Sequence, residues 1–442
     1  MAPLLLLQEV SDLCLGKPPL KSVSISATVG EALSALKLFG ESSLSVWSCD
    51  HSEKSNVDII CNSDSAEDCR CVGKVCMVDV ICFLGKEENL SSPATALEAP
   101  LEVLIPKGSG LVRHLEPHDS LVEAIDLILE GAQNLVIPIQ SRRTTAARKK
   151  LLPNRSFNTL HNNREYCWLT QEDIIRYLLN YIGVFSPASN TPINSLQVID
   201  TENLLAVHYD DPASAVLPLI SQSLVQQTSV AILDVDGKVI GEISPYTLNT
   251  CHESVAAAIA TLSAGDLMAY IDCGGPPDEL VQLVKERLEE KKYGAFLELM
   301  EEESMSSSSS FCSTSSDEEF GLGRRSGGGY SARLVRRSEA IVCYPWSSLV
   351  AVMVQALSHR VSYVWVVEED ATLFGTVTFA SMFKRGLMLP DDFIFQYTTN
   401  AMDAVINLQL TARGDAMAIL AFVIIRKVYA VDNLELPSLT VA

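Results

Sequence analysis

The sequence predicts an α/β protein of four β-α-β-β-α units paired into two modules. Three observations carry that prediction. A strand-to-helix segment recurs four times, at Gly73–Asp79, Cys167–Asp173, Gly241–Thr247 and Gly375–Ser381. A short, β-branched apolar run precedes each copy, and an amphipathic stretch that starts at a helix-capping residue precedes each run. Recurrence of this kind fixes how a chain divides before any single motif is weighed. One unit of about 60 residues exposes too much apolar surface to stand alone, so units should pair. Residues 10–185 and 194–385 are expected to form two similar modules, each with a pseudo-two-fold axis relating its units.

In chain order, each unit opens with a short apolar-acidic lead: Val10–Pro18, Pro100–Pro106, Asn194–Ile199 and Ala264–Ile271. A first strand follows, at Ser22–Ser26, Leu111–Leu115, Leu204–His208 and Ala340–Cys343. Next comes a cap. Thr28 and Ser120 stand three residues before Glu31 and Glu123, the spacing at which a hydroxyl and a carboxylate satisfy the first free amides of a helix. Asp211 followed by Pro212 offers a start in the third unit, and Ser347 or Ser348 in the fourth. Leu121, Ala124, Ile125, Ile128 and Leu129 show the helical spacing of apolar residues. The second strands, Leu44–Trp47, Asn134–Ile139, Ser229–Leu233 and Tyr363–Val367, are short, apolar and flanked by polar residues, which suits burial. The recurring segment then closes the unit, leading into helices that contain Val80–Leu84 and Ile174–Leu179.

These elements place the units at residues 10–90, 99–185, 194–255 and 263–385. Insertions between second and third strands, Cys49–Cys71 (acidic, Cys-rich) and Ser141–Glu165 (with Arg142, Arg143, Arg148, Lys149, Lys150, Arg155 and Arg164), are expected as surface loops. The fourth unit carries an extra helix from Asp278, as its cap, to near Lys292. The Ser-, acidic- and Gly-rich stretch 301–329 follows, and its composition predicts a disordered linker. There, Ser315 and Ser316 precede Glu318 and Glu319 in the pattern of an acidophilic kinase target, or simply of a solvated linker. Residues 386–442 fit no unit and stay unassigned.

A formal net charge of −22 disfavours nucleic-acid backbones and anionic membranes as partners. No stretch approaches the roughly 18 consecutive apolar residues that span a bilayer, and the first residues lack the shape of a secretory signal. The twelve cysteines are scattered and often replace small apolar residues of the repeat, as at Cys14, Cys76 and Cys343. That is the usage of a reduced, cytoplasmic or nuclear protein. Cys49, His51, Cys61, Cys69, Cys71 and Cys76 are soft ligand types, but they include no Cys-x-x-Cys pair and their spacing is irregular, so no metal site is expected. Gly321 and Gly323 lack the strand-turn-helix setting of a nucleotide fingerprint. No catalytic constellation emerges, and the chain is expected not to be an enzyme.

The unit resembles the CBS domain, named after cystathionine beta-synthase, whose copies pair into Bateman modules. The likeness covers roughly residues 10–385. Its organisation is similar to the plant CBSX type with four CBS repeats, and more distantly to the gamma regulatory subunit of SNF1/AMP-activated kinases. The resemblance implies that the Gly-x-hydrophobic-Thr-x-x-Asp segment lines a nucleotide cleft, with Thr and Asp at the ribose hydroxyls. The second unit matches best, with Thr170 and Asp173. The first keeps Asp79 but has Cys76 at the Thr position. The third has Ser244 and Thr247, and the fourth Thr378 and Ser381, so the resemblance places any adenosyl ligand (AMP, ADP, ATP or S-adenosylmethionine) in the first module. Arg113 and His114, just before a helix cap, are candidates for a phosphate. From the residues alone, Asp79 and Asp173 serve equally well as acidic groups at a helix N-terminus.

The implied function is regulatory: ligand-dependent docking to a protein partner, a kinase or another regulated enzyme. The alternative is a ligand-free scaffold or adaptor resembling a kinase gamma subunit. A homodimer is compatible with either.

Overall fold

The computed structural model describes residues 8–49, 69–106, 110–139, 160–181, 190–272, 276–307 and 338–387. Most of both insertions, the linker beyond 307 and the 388–442 tail lie outside the described residues.

Four three-stranded sheets share one topology. The strands are β1 Ser22–Ser24, β2 Leu44–Trp47, β3 Cys71–Val75, β4 Val112–His114, β5 Asn134–Pro138, β6 Tyr166–Thr170, β7 Ala206–His208, β8 Val230–Leu233, β9 Val239–Ile243, β10 Val342–Cys343, β11 Tyr363–Val367 and β12 Leu373–Thr378. In each sheet the first and second strands are parallel and the second and third antiparallel. The parallel pair requires a crossover, which the amphipathic helix supplies. These crossover helices are Val29–Phe39, Leu121–Leu129, Val216–Gln226 and Leu349–His359. β2, β5 and β11 are buried at every position, as expected of strands covered on both faces.

The caps work largely as spaced. Thr28 Oγ1 accepts from Glu31 N at 3.1 Å and the Glu31 carboxylate accepts from Thr28 N at 2.9 Å. Ser120 Oγ accepts from Glu123 N at 3.1 Å. Ser348 caps the last crossover helix, while Ser347 accepts from Tyr344 N. Two caps differ. Asp211 accepts from His208 N at 2.9 Å, and the helix begins only at Val216 after one 3-10 turn. The amide that Asp211 would have capped, Ala213 N, is bound by Leu262 O at 2.9 Å instead. Asp278 is the first helical residue of Asp278–Glu290 rather than its cap, which is Pro277. A further helix, Gly294–Ser307, makes the first seven residues of the expected disordered stretch helical.

The leads are exchanged within each pair. Val10 N donates to Asp119 O and Leu121 N to Gln8 O, so the first lead packs on the second unit. Val29 N donates to Ala99 O and Leu101 N to Ala27 O, so the second lead packs on the first. The other pair repeats this: Ile193 N to Ser347 O and Leu349 N to Thr191 O, against Ala213 N to Leu262 O and Ala264 N to Asp211 O. Gly375 permits one such approach. A Cβ there would lie 2.5 Å from Ile199 Cγ2 and 2.8 Å from Asp200 O.

Apolar burial links the units in two directions. Sheet faces join units one and two around Trp47, Cys71, Val136 and Tyr166. Helical layers join units one and three through residues such as Ile81, Val216 and Ile220, and units two and four through Ile174, Leu178, Val352 and Phe379. The junction of these layers holds the cavity described next.

Candidate functional site

A cavity of about 940 Å³ opens where the four units meet. The first unit contributes Gly73, Lys74 and Cys76–Asp79, the second Val112 and Thr170, the third Tyr246 and the fourth Ser362.

One of its three acidic lining residues, Asp79, sits at the start of a helix. The helix Met77–Leu84 starts at Cys76, whose thiol stands where a Thr hydroxyl would and takes part in a reciprocal cap with Asp79. Asp79 Oδ2 accepts from Cys76 N at 2.7 Å. Asn249 fixes this turn from the third unit: its Oδ1 accepts from Met77 N at 3.0 Å and its Nδ2 donates to Ser42 O at 2.8 Å. Burial raises the Asp79 carboxyl above the usual carboxylate range. Burial, with Asp79 beside it, also pushes the Cys76 thiol well up, so Cys76 is a neutral thiol.

Charges of both signs line the walls. Lys37 donates to Glu253 Oε1 at 2.6 Å. Lys74 reaches Asn134 Oδ1 at 3.4 Å and sits 6.0 Å from the Trp168 ring centre. Lys86 lies 5.7 Å from the ring centre of Phe83, and the acidic lining comprises Glu41, Asp79 and Glu172.

The second unit's copy is arranged differently. Thr170 lines the cavity, but Asp173 Oδ2 accepts from Thr170 N at 2.8 Å, from Thr170 Oγ1 at 2.7 Å and from the Lys17 ammonium. Lys17 also donates to Trp168 O at 2.7 Å. The carboxylate that best matches the family motif is therefore ion-paired to the exchanged lead and is absent from the cavity lining. Arg113 and His114 do not line the cavity either. The Arg113 guanidinium lies against Gly110, 3.3 Å from where a Cβ would sit. His114 Nε2 accepts from Cys71 N at 3.1 Å, and its ring meets Trp47 edge-on at 6.0 Å. Burial lowers its pKa, in keeping with an acceptor nitrogen.

The second module's equivalents do not line the cavity: Ser244 and Thr247 are buried, and Thr378 and Ser381 are half-buried. Ser244 Oγ accepts from Tyr246 N, and Thr378 and Ser381 cap each other. Between those sheets Glu242, 2 % exposed, accepts from Tyr363 Oη at 2.8 Å and from Trp365 Nε1 at 2.8 Å. Nothing local in the sequence marks Lys17 or Asn249, because each acts on a unit distant in the chain. The Glu at 242, inside an otherwise apolar strand, was the one available signal.

No family model matches the chain. It is 46% identical over 395 residues to the CBS domain-containing protein CBSX5 of Arabidopsis thaliana, covering 87% of this chain and 97% of that protein. CBSX6 of the same plant is 26% identical, covering 89% and 96%. The SNF1-related protein kinase regulatory subunit gamma-like PV42b, also from Arabidopsis thaliana, is 23% identical over 60% of this chain and 76% of its own length. Among solved structures, a Methanocaldococcus jannaschii protein described as a putative archaeal homolog of g-AMPK matches at TM-score 0.48 and 14% identity, covering 85% of this chain and 99% of that one. Among the described residues, no helix is long and apolar enough to cross a membrane. With nearly half its residues identical to CBSX5 across almost all of that protein's length, the chain belongs to the CBS domain-containing proteins of the plant CBSX type.

Proposed function

We propose that the chain is a non-enzymatic regulatory protein whose central cavity takes an adenosyl ligand with Asp79 at the ribose. The observation that carries this reading is the cavity itself. Its volume of about 940 Å³ suits a nucleotide, and it presents one carboxylate fixed at a strand-to-helix turn together with lysines. A carboxylate accepts hydrogen bonds from a vicinal diol, and ammonium groups meet phosphate. Because all four units line the site, a bound ligand would bias their packing. It would do so only by as much as it binds one arrangement better than another. The gamma-like kinase relative supports a protein partner, a kinase or another regulated enzyme, as the readout.

Calorimetric titration with AMP, ADP, ATP and S-adenosylmethionine tests the reading. Asp79→Ala removes hydrogen bonds of roughly 1.5–3 kcal/mol to a charged acceptor, so affinity should fall at least about tenfold. Asp173→Ala, Thr247→Ala and Ser381→Ala should leave it nearly unchanged. Loss in Asp173→Ala with retention in Asp79→Ala would put the ligand elsewhere. No binding by the wild type would favour a ligand-free scaffold, the reading supported by the Lys17–Asp173 pair and by second-module equivalents that do not line the cavity.

A further inference from the structure

At the opposite end of β2 and β3 from the cavity, three soft ligand types converge from separate parts of the chain. Cys49 follows β2, Cys69 precedes β3, and His161 leads into β6. Their ligand atoms all lie within 4.8 Å of one another, and Cys49 Sγ is 3.2 Å from His161 Nδ1. Metal–ligand bonds of about 2.3 Å to sulfur and 2.0–2.1 Å to nitrogen put tetrahedral ligands roughly 3.5–3.8 Å apart, so small adjustments would close the shell.

The surroundings hold the ligands in place. His161 Nε2 is 3.0 Å from Ser22 Oγ, which leaves Nδ1 directed at the cysteines. Its ring is buried and stacks on Trp47 at 3.7 Å and 2°. Asn162 accepts from Cys69 N and donates to Cys69 O, both at 3.2 Å. Asn162 and Asn163 hold a tight turn at positive φ, closed by His161 and Arg164. Ser48 N donates to Arg70 O at 2.9 Å, which brings the two ends of the first insertion together.

We propose that Cys49, Cys69 and His161 bind one Zn²⁺, with water as the fourth ligand. Two thiolates and a neutral imidazole neutralise the ion and match its preference for sulfur and nitrogen. Binding releases the two thiol protons to solvent. The ion would tie the base of the first unit's insertion to the second unit and so stabilise the pairing of their sheets. Ser22 is a positioning residue, since a hydrogen bond to the far imidazole nitrogen fixes ring orientation and tautomer.

The test uses the full chain, reduced with a phosphine and stripped of metal, then titrated with Co²⁺ as a spectroscopic probe and with Zn²⁺ against a chromophoric chelator. One Co²⁺ per chain should bind with a thiolate-to-cobalt charge-transfer band, and Zn²⁺ should displace it and raise the melting temperature. Cys49→Ser, Cys69→Ser and His161→Ala should each lose stoichiometric binding. Ser22→Ala should weaken Zn²⁺ about 10–100-fold. Cys14→Ser, a cysteine outside the cluster, should keep the band. Absence of a thiolate band in the reduced wild type, or its persistence in both Cys49→Ser and Cys69→Ser, would overturn the proposal. So would a Cys49–Cys69 disulfide in the purified protein that, once reduced, yields thiols without metal affinity.

Discussion

Removing the phenol of Tyr363 probes what holds the second module's sheets together. Glu242 sits between them with one oxygen 2.8 Å from Tyr363 Oη and the other 2.8 Å from Trp365 Nε1. Tyr363 Oη is also 3.3 Å from Ser244 Oγ. All three side chains of the core triplet are buried. An intramolecular hydrogen bond contributes about 0.5–1.5 kcal/mol net, and leaving a buried acceptor unsatisfied costs about 1–3 kcal/mol. Tyr363→Phe keeps the ring and its packing, so the loss should be almost entirely polar. Trp365→Phe adds a smaller ring in a filled core and should cost more. The assay is urea unfolding of the full chain, combined with a double-mutant cycle in a Glu242→Leu background. If the carboxylate is the shared partner, Tyr363→Phe should be nearly neutral once Glu242 is gone, giving a coupling energy of about 1–3 kcal/mol. A cost for Tyr363→Phe that is equal in both backgrounds would refute the Tyr363–Glu242 hydrogen bond as a link between the sheets.

Two further outcomes follow from other sites. Burial would raise the Glu253 carboxyl, but hydrogen bonds from His252 and Lys37 hold it down at about 2. Because an unfolded Glu titrates near about 4.3, the stability this group supplies is complete above that value and is lost as pH falls through about 2. The melting-temperature difference between wild type and Lys37→Met should therefore shrink steadily on acidification from pH 5. A difference that does not change with pH would separate Lys37 from Glu253. Gly375→Ala should destabilise by about 1–3 kcal/mol through overpacking against Ile199. Gly294→Ala, where nothing lies within 4 Å of the added carbon, should be neutral or stabilising in the same calorimetric scan.

Much of the architecture was legible because the unit is written in local signals. Thr28 with Glu31, Ser348 and the runs at Leu44–Trp47 and Tyr363–Val367 each act within a few residues, and each appears where its spacing predicts. The Asp211 cap failed because its amide found a carbonyl in a lead some 50 residues onward, a competitor that no local window contains. The candidate site was legible by half. Asp79, Cys76 and Thr170 reach the cavity because the recurring segment always delivers its cap region to the same place. Asp173 belongs to the same segment, yet Lys17, 156 residues away, claims it. Proximity to a cap points to Arg113 and His114, but alternation along β4 does not say which neighbour a short strand faces. His161 lay hidden for a related reason: it enters from the basic insertion of one unit to meet cysteines of another.

The exchange of leads describes the molecule as a fused, intramolecular domain swap. Each unit completes its partner's fold, just as two identical chains do when they trade a terminal segment. A lone unit with such a lead would satisfy itself only by pairing with a second copy. Joining two copies in one chain would then convert a concentration-dependent association into one governed by a short tether. A fragment cut between Leu90 and Ala99 would therefore leave its Val29 amide without the Ala99 carbonyl and its first unit without Leu101. The smallest autonomous piece of this protein should be the pair, and truncations ought to be designed around exchanged segments rather than around the boundaries of the repeat.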